Sequence, residues 1–185
     1  MPLLVAAARE ELGDLQGEVV GVGPVVAAAS AGRILATTRP DAVIMVGTAG
    51  AYTGGPAIGQ AIVAERLGMS WGVAAMGLGY VPRAPAPLRC DAGLLGRIDL
   101  PRHDVLTVGA ITTDKTLGRR IADGYTVEHM EAFGVACAAD QLGIPFVVVL
   151  GITNAVGPDA HVQWLTHRDA AQRAARDAVK HLLAR

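Results

Sequence analysis

Five short polar clusters interrupt an apolar chain, and their residue types could do chemistry together. They are Glu10-Glu11, Gly47-Thr48-Ala49-Gly50, Thr112-Thr113-Asp114, Glu128-His129-Met130-Glu131 and Thr153-Asn154. Carboxylates can activate a water or stabilise positive charge developing on carbon, while hydroxyls and an amide orient polar ligands. Each cluster also has a plain reading: an acid at a strand end caps a helix, and a glycine-rich stretch makes a tight turn. Five such clusters in 185 residues point toward a site.

Other chemistries find no support. GVGPVV at 21–26 lacks the third glycine of a dinucleotide loop, and GTAGAYTGG at 47–55 lacks the Gly-Lys-Ser/Thr of a phosphate loop. His103, His129, His161, His167 and His181 are scattered without metal-ligand spacing and read as surface or capping side chains. No Gly-x-Ser-x-Gly elbow occurs. Cys90 and Cys137 are far apart, neither lies in a Cys-x-x-Cys pair, and Cys137 sits among Ala and Val. No metal, cofactor, disulfide or thiol nucleophile is therefore expected.

Each cluster follows an element able to hold it. Leu3 to Ala7, Asp41 to Val46, Asp104 to Ile111 and Phe146 to Ile152 are apolar runs of strand length; Tyr125 to Val127 is a shorter strand. Val19 to Val22 and Gln60 to Arg66 read as further strands. Pro24 opens a helix reaching Thr38, Met130 to Leu142 forms another, and Thr166 to Leu183 is a C-terminal surface helix. The prolines of 82–87 demand an extended loop. Strands alternating with helices predict one three-layer α/β domain over residues 1–185, with a parallel or mixed central sheet flanked by helices. In open sheets of this class ligands gather beyond the carboxyl ends of the strands.

Composition bounds the partners. The chain is 51% hydrophobic and 18% charged, which excludes the usual disordered profile. A net charge of −1 without basic runs argues against nucleic acid. The richest uncharged run, Val19 to Gly32, has 14 positions, short of the roughly 20 a spanning helix needs. Acids at 10–11 interrupt the first apolar stretch too early for a signal peptide, so the cytoplasm is expected. The apolar excess predicts a homo-oligomer.

VGTAGAY at 46–52, VEHMEAFGVA at 127–136 and VVVLGITNAVG at 147–157 together resemble the purine nucleoside phosphorylase/nucleosidase family. They match its glycine-rich ribose-side turn, its Met-Glu ribose clamp and its base-site strand. AAAREEL at 6–12 resembles the acidic end of the opening strand in the nucleosidase branch. GPDAHVQW at 157–164 resembles the segment that follows the base-site strand in the futalosine-hydrolysing branch. The resemblance implies a nucleoside phosphorylase-like fold and hydrolysis of a purine nucleoside by water. It implies that Glu131 accepts hydrogen bonds from ribose hydroxyls while Met130 packs on the sugar, with Glu128 beside them in the substrate-binding set. Thr48, Ala49 and Gly50 would flank the anomeric carbon, and Glu11 would deprotonate the water. Glu131 can equally be a helix-start carboxylate favoured by the dipole. Asp114 is either part of the base loop or the N-cap of the next helix.

Two departures bear on the subclass. Phosphorylases of the family hold phosphate with an arginine before the Val-Gly-Thr turn; Met45 stands there, favouring hydrolysis unless Arg33 or Arg39 compensates. Adenine-cleaving nucleosidases place aspartate where Asn154 stands. An amide donates a hydrogen bond but delivers no proton, which suits the hypoxanthine of futalosine better than adenine. An adenine-type nucleosidase, a phosphorylase and an inactive nucleoside-binding protein are the alternatives.

Overall fold

Burial on both faces dictates the middle of the molecule. Val43 to Val46 and Val147 to Leu150 are each no more than 1% exposed, so their runs need no polar alternation. In the computed structural model, which describes residues 1–184, the chain runs β1 (Leu3–Ala6), α1 (Arg9–Leu12), β2 (Glu18–Val19), α2 (Pro24–Thr38), β3 (Val43–Ala51) and β4 (Ala61–Met69). It continues through α3 (Gly72–Ala75), β5 (Leu88–Arg89), α4 (Ala92–Leu95), β6 (Arg102–Thr107), α5 (Lys115–Ala122), β7 (Val127–His129), α6 (Ala132–Gln141), β8 (Phe146–Ala155) and α7 (Ala160–Leu183).

The eight strands form one mixed sheet, and five of them close on themselves. β3 pairs with β7, β7 with β6, β6 with β4, β4 with β8, and β8 returns to β3. β1 and β2 extend the sheet from β3, and β5 extends it from β4. The result is a partly barrel-like sheet flanked by helices, the expected class with a closure the local sequence does not reveal. Among the described residues no helix is long and apolar enough to cross a membrane.

Two glycines set how close the helices come. A Cβ on Gly151 of β8 would lie 2.1 Å from the Ala171 carbonyl oxygen of α7, so backbone meets backbone there. A Cβ on Gly134 of α6 would lie 2.5 Å from the Pro24 carbonyl oxygen at the start of α2. Pro24 occupies the first turn of α2, where its missing N–H costs no hydrogen bond.

Several boundaries differ from the sequence reading. Gly47-Thr48-Ala49-Gly50 is strand rather than turn, because β3 and β8 remain paired from Val43–Phe146 to Ala51–Ala155. Thr153 and Asn154 likewise lie inside β8. Glu128 and His129 belong to β7 instead of opening a helix, and α6 begins at Ala132. β6 stops at Thr107, leaving 108–114 to loop back across the sheet end.

Candidate active site

The edge of β3 is shared. β1 pairs with Val43 to Met45, β7 pairs with Gly50 and Ala51, and Gly47, Thr48 and Ala49 lie between them without a strand partner on that edge. Buried backbone donors demand acceptors. Thr48 finds one in Glu11: its N–H donates to Glu11 Oε1 at 2.9 Å, and its hydroxyl donates to the same oxygen at 3.1 Å. The other carboxylate oxygen accepts from the Ala7 N–H at 3.1 Å. Arg176 of α7 donates to the carbonyls of Glu10 and Glu11 at 3.1 and 3.4 Å, fixing the turn that carries the acid. Burial pushes the Glu11 carboxyl above its ordinary range; His129 and the Thr48 hydrogen bonds act the other way, while Glu131 raises it further.

Glu131 is the N-cap residue of α6, yet its side chain does not cap the helix. His129 does: Nδ1 accepts from the N–H groups of Glu131 and Ala132, each at 3.0 Å. A nitrogen that accepts two hydrogen bonds carries no proton, so the ring proton sits on Nε2. Glu131 is thereby released to reach across to α2, where Oε1 accepts from the Gly23 N–H at 2.7 Å. Thr107 completes the corner by accepting from Phe133 N–H at 2.9 Å.

A bulge prepares the opposite end. Ala49 pairs with Ile152 but Gly50 pairs with Asn154, so Thr153 is the extra residue of β8. The Thr153 hydroxyl lies 2.8 Å from Asn154 Oδ1 and 3.0 Å from the Ala49 carbonyl oxygen. Asn154 Nδ2 donates to the Ala155 carbonyl at 3.4 Å, which keeps the NH₂ turned away from Thr153. That amide nitrogen would stand 2.9 Å from a Cβ on Gly50, and Glu128 Oε1 would stand 3.5 Å from it. Gly50 thus leaves open the space on which an amide and a carboxyl converge. Glu128 Oε1 accepts from the Thr112 N–H at 3.0 Å, whereas Oε2 and the Tyr52 hydroxyl are buried without a well-formed hydrogen bond. Burial raises the Glu128 carboxyl, opposed by the Thr112 donors and the neighbouring Tyr52 hydroxyl. Burial, then the nearness of Glu128, pushes the Tyr52 phenol up, so it stays protonated.

These groups surround one cavity of about 520 Å³, ample for a nucleoside. Glu11, Thr48, Ala49, Gly50, Glu128, Met130, Glu131 and Asn154 all line it. Asp114 does not: it is exposed and caps α5 by accepting from the Leu117 N–H at 2.6 Å, the second of its two readings. Met45 is fully buried in β3, and Arg33 and Arg39 are exposed on and just after α2, outside the lining. The arginine that does line the cavity is Arg168, stacked 5.1 Å from the centre of the Trp164 ring and 3.5 Å from Asp169. Burial pushes the Cys90 thiol up to about 12 and raises Cys137 as well, which leaves neither as a ready nucleophile.

Trp164, Arg168, Asp169 and Gln172 are among the lining residues to which the sequence assigned no role, and His129, a member of the 128–131 cluster read as a surface or capping side chain, lines the cavity as well as capping α6. His129 counts as one more scattered histidine until it is noticed between two acids of VEHME; in the fold it is a buried cap facing the cavity. Trp164 ends the GPDAHVQW segment and brings an aromatic ring to the cavity wall.

The family model for the phosphorylase superfamily matches residues 15–184. A futalosine hydrolase of Thermus thermophilus is 31% identical over 89% of this chain and 79% of its own length. A 5'-methylthioadenosine/S-adenosylhomocysteine nucleosidase of an Exiguobacterium species is 29% identical over 83% of this chain and 73% of its own. A solved Helicobacter pylori nucleosidase of the latter name superposes with a TM-score of 0.87 at 15% identity, covering 99% of this chain and 97% of that one. The mixed, partly closed sheet flanked by helices and the match over nearly the whole length agree: this chain belongs to the phosphorylase superfamily, among relatives that include methylthioadenosine/S-adenosylhomocysteine nucleosidases and futalosine hydrolases.

Proposed function

We propose that this enzyme of the nucleosidase family hydrolyses the N-glycosidic bond of a purine nucleoside whose base is a 6-oxopurine, with futalosine as the substrate. The observation that carries the base preference is the Asn154 amide, turned by Thr153 so that Nδ2 faces the space over Gly50. An NH₂ there donates to N7 or O6 of hypoxanthine. Adenine offers a 6-amino donor instead of O6, and its departure gains most from a proton that an amide cannot give.

Glu11 and Glu131 lie at the sugar end. As the C–N bond breaks, its electron pair leaves with the base and positive charge spreads over the anomeric carbon and ring oxygen. Carboxylates near that charge lower the barrier, and Glu131 also holds the ribose hydroxyls. The water oxygen bonds to the anomeric carbon and passes a proton to Glu11, while the departing base, hydrogen-bonded by Asn154, is protonated from solvent. Free hypoxanthine and the free sugar result. Apolar Met45 and the absence of Arg33 and Arg39 from the cavity support water as the acceptor over phosphate. Surface side chains Val25, Val26, Val162 and Leu165, each more than half exposed, support a homo-oligomeric assembly.

The names of the relatives favour a second reading, in which the base is adenine and the substrate methylthioadenosine or S-adenosylhomocysteine. Side-by-side kinetics in phosphate-free buffer separate the two. The expected outcome is a higher kcat/KM on futalosine than on its 6-amino analogue or methylthioadenosine, narrowed or reversed by Asn154→Asp. Each buried group left unpaired by the wrong base costs about 1–3 kcal/mol. Wild-type preference for the adenine compounds moves the assignment to the second reading. A strict need for phosphate, with a sugar 1-phosphate as product, excludes hydrolysis.

A further inference from the structure

We infer that His129 is the second hydrogen-bonding contact of the attacking water, acting with Glu11; this rests on the nucleosidase reading above. Nδ1 is fully engaged as the cap of α6, so the remaining polar function of the ring is the Nε2–H. That nitrogen lies 3.2 Å from the position a Cβ would take on Gly47, and Glu11 Oε1 lies 3.3 Å from the same point. The two groups therefore converge from different elements, one from β7 and one from α1, on the unpaired segment of β3. They make no direct hydrogen bond: the carboxylate oxygen beside the neutral ring is Oε2 of Glu131, 3.4 Å from Nδ1 and away from the Nε2–H. Polar groups that face each other beyond direct contact are bridged naturally by one water.

The polarity of such a bridge is fixed. Glu11, already accepting from Ala7 and Thr48, can accept one more proton from a water, and the Nε2–H can only donate to that water's oxygen. The water is then held with one O–H on the base and one lone pair on the imidazole, which leaves its second lone pair to meet the anomeric carbon. Gly47 is what makes the geometry possible, since any side chain there would stand between the two groups. Glu131, tethered to the Gly23 N–H, stands on the other side of the ring and stays free for the sugar.

The two ring nitrogens have separate tasks, and two variants separate them. His129→Asn places an oxygen near Nδ1, keeping the cap and removing the distant N–H. His129→Gln places an NH₂ near Nε2, keeping the donor and removing the cap. Each is assayed with wild type and Glu11→Gln on futalosine, methylthioadenosine and S-adenosylhomocysteine, alongside thermal unfolding. His129→Asn is expected to unfold like wild type with KM unchanged and kcat lowered on the order of 10²-fold, the scale of losing one positioned donor. His129→Gln is expected to retain more of its kcat and to melt lower. Wild-type kcat in His129→Asn overturns the assignment, as does an equal loss of kcat and Tm in both variants, which marks a structural role. If wild type releases no base from any of the three nucleosides, the nucleosidase reading fails and this assignment fails with it. If wild type is active and Glu11→Gln is not, the reading stands and the His129 variants decide alone.

Discussion

Glu11 must be ionised to take a proton from water, yet burial favours its neutral form. The sign follows directly: the base works only above its folded pKa, which lies above the ordinary 4.5. The acid limb of a kcat profile should therefore fall at a higher pH than an exposed carboxylate would give. Glu11→Gln removes that limb together with the activity, about 10²–10⁴-fold in kcat. Glu131→Gln should also depress turnover, through lost stabilisation of the sugar cation, and folded variants with near-normal rates would exclude this pair of roles. Glu128 behaves differently. Its Oε2 is buried without a partner beside the Tyr52 hydroxyl, and glutamine would present an NH₂ there while keeping the bond to Thr112. Glu128→Gln should thus gain about 1–3 kcal/mol, or several degrees in Tm. A carboxyl with a raised folded pKa contributes its stability below 4.5 and loses it as pH rises through the folded value. The gain should accordingly be full at neutral pH and vanish below 4.5 in thermal scans; a pH-independent difference would show that ionisation of Glu128 is not its source.

Helix α7 lies on the closed sheet through Gly151, where a methyl group would meet the Ala171 carbonyl at 2.1 Å. Backbone cannot rotate away as a side chain can. Gly151→Ala should cost about 3 kcal/mol or more, the upper end of overpacking, and calorimetry should show Tm falling accordingly. Such contacts explain what sequence reveals and what it hides at this scale. The runs at 43–46 and 147–150 are legible because burial on both faces leaves an unbroken apolar signature. Their continuations are not: Gly47 and Gly50 look like turn residues, but they are small because Glu11, His129, Glu128 and Asn154 crowd over them. Local pattern also cannot show that Thr153 is a bulge, since the extra residue exists only relative to β3. Asp114 is legible to both of its readings, and only the tertiary path of 108–114 selects the cap. His129 is half legible: of its surface and capping readings the cap holds, and its burial and its place beside the cavity emerge only once the start of α6 turns two N–H groups toward Nδ1.

At the scale of the molecule, β8 is the strand with the most complete surroundings: β3 on one edge, β4 on the other and α7 across its face. Amide hydrogen exchange should find Val147 to Leu150 among the last to exchange, and the two-residue strands β2 and β5 among the first. Rapid exchange in β8 would mean that the ring opens locally. Closure also has a consequence in time. On a ribosome, β3 emerges about a hundred residues before the strand that must lie beside it, and Glu11 waits for Arg176 to secure its turn. Contacts so distant in sequence form late. A chain that still lacks β8 and α7 therefore presents the unpaired segment of β3 without the Asn154 amide or the Arg176 clamp on the acid, and the capacity to cut a glycosidic bond arrives only once those last elements are in place.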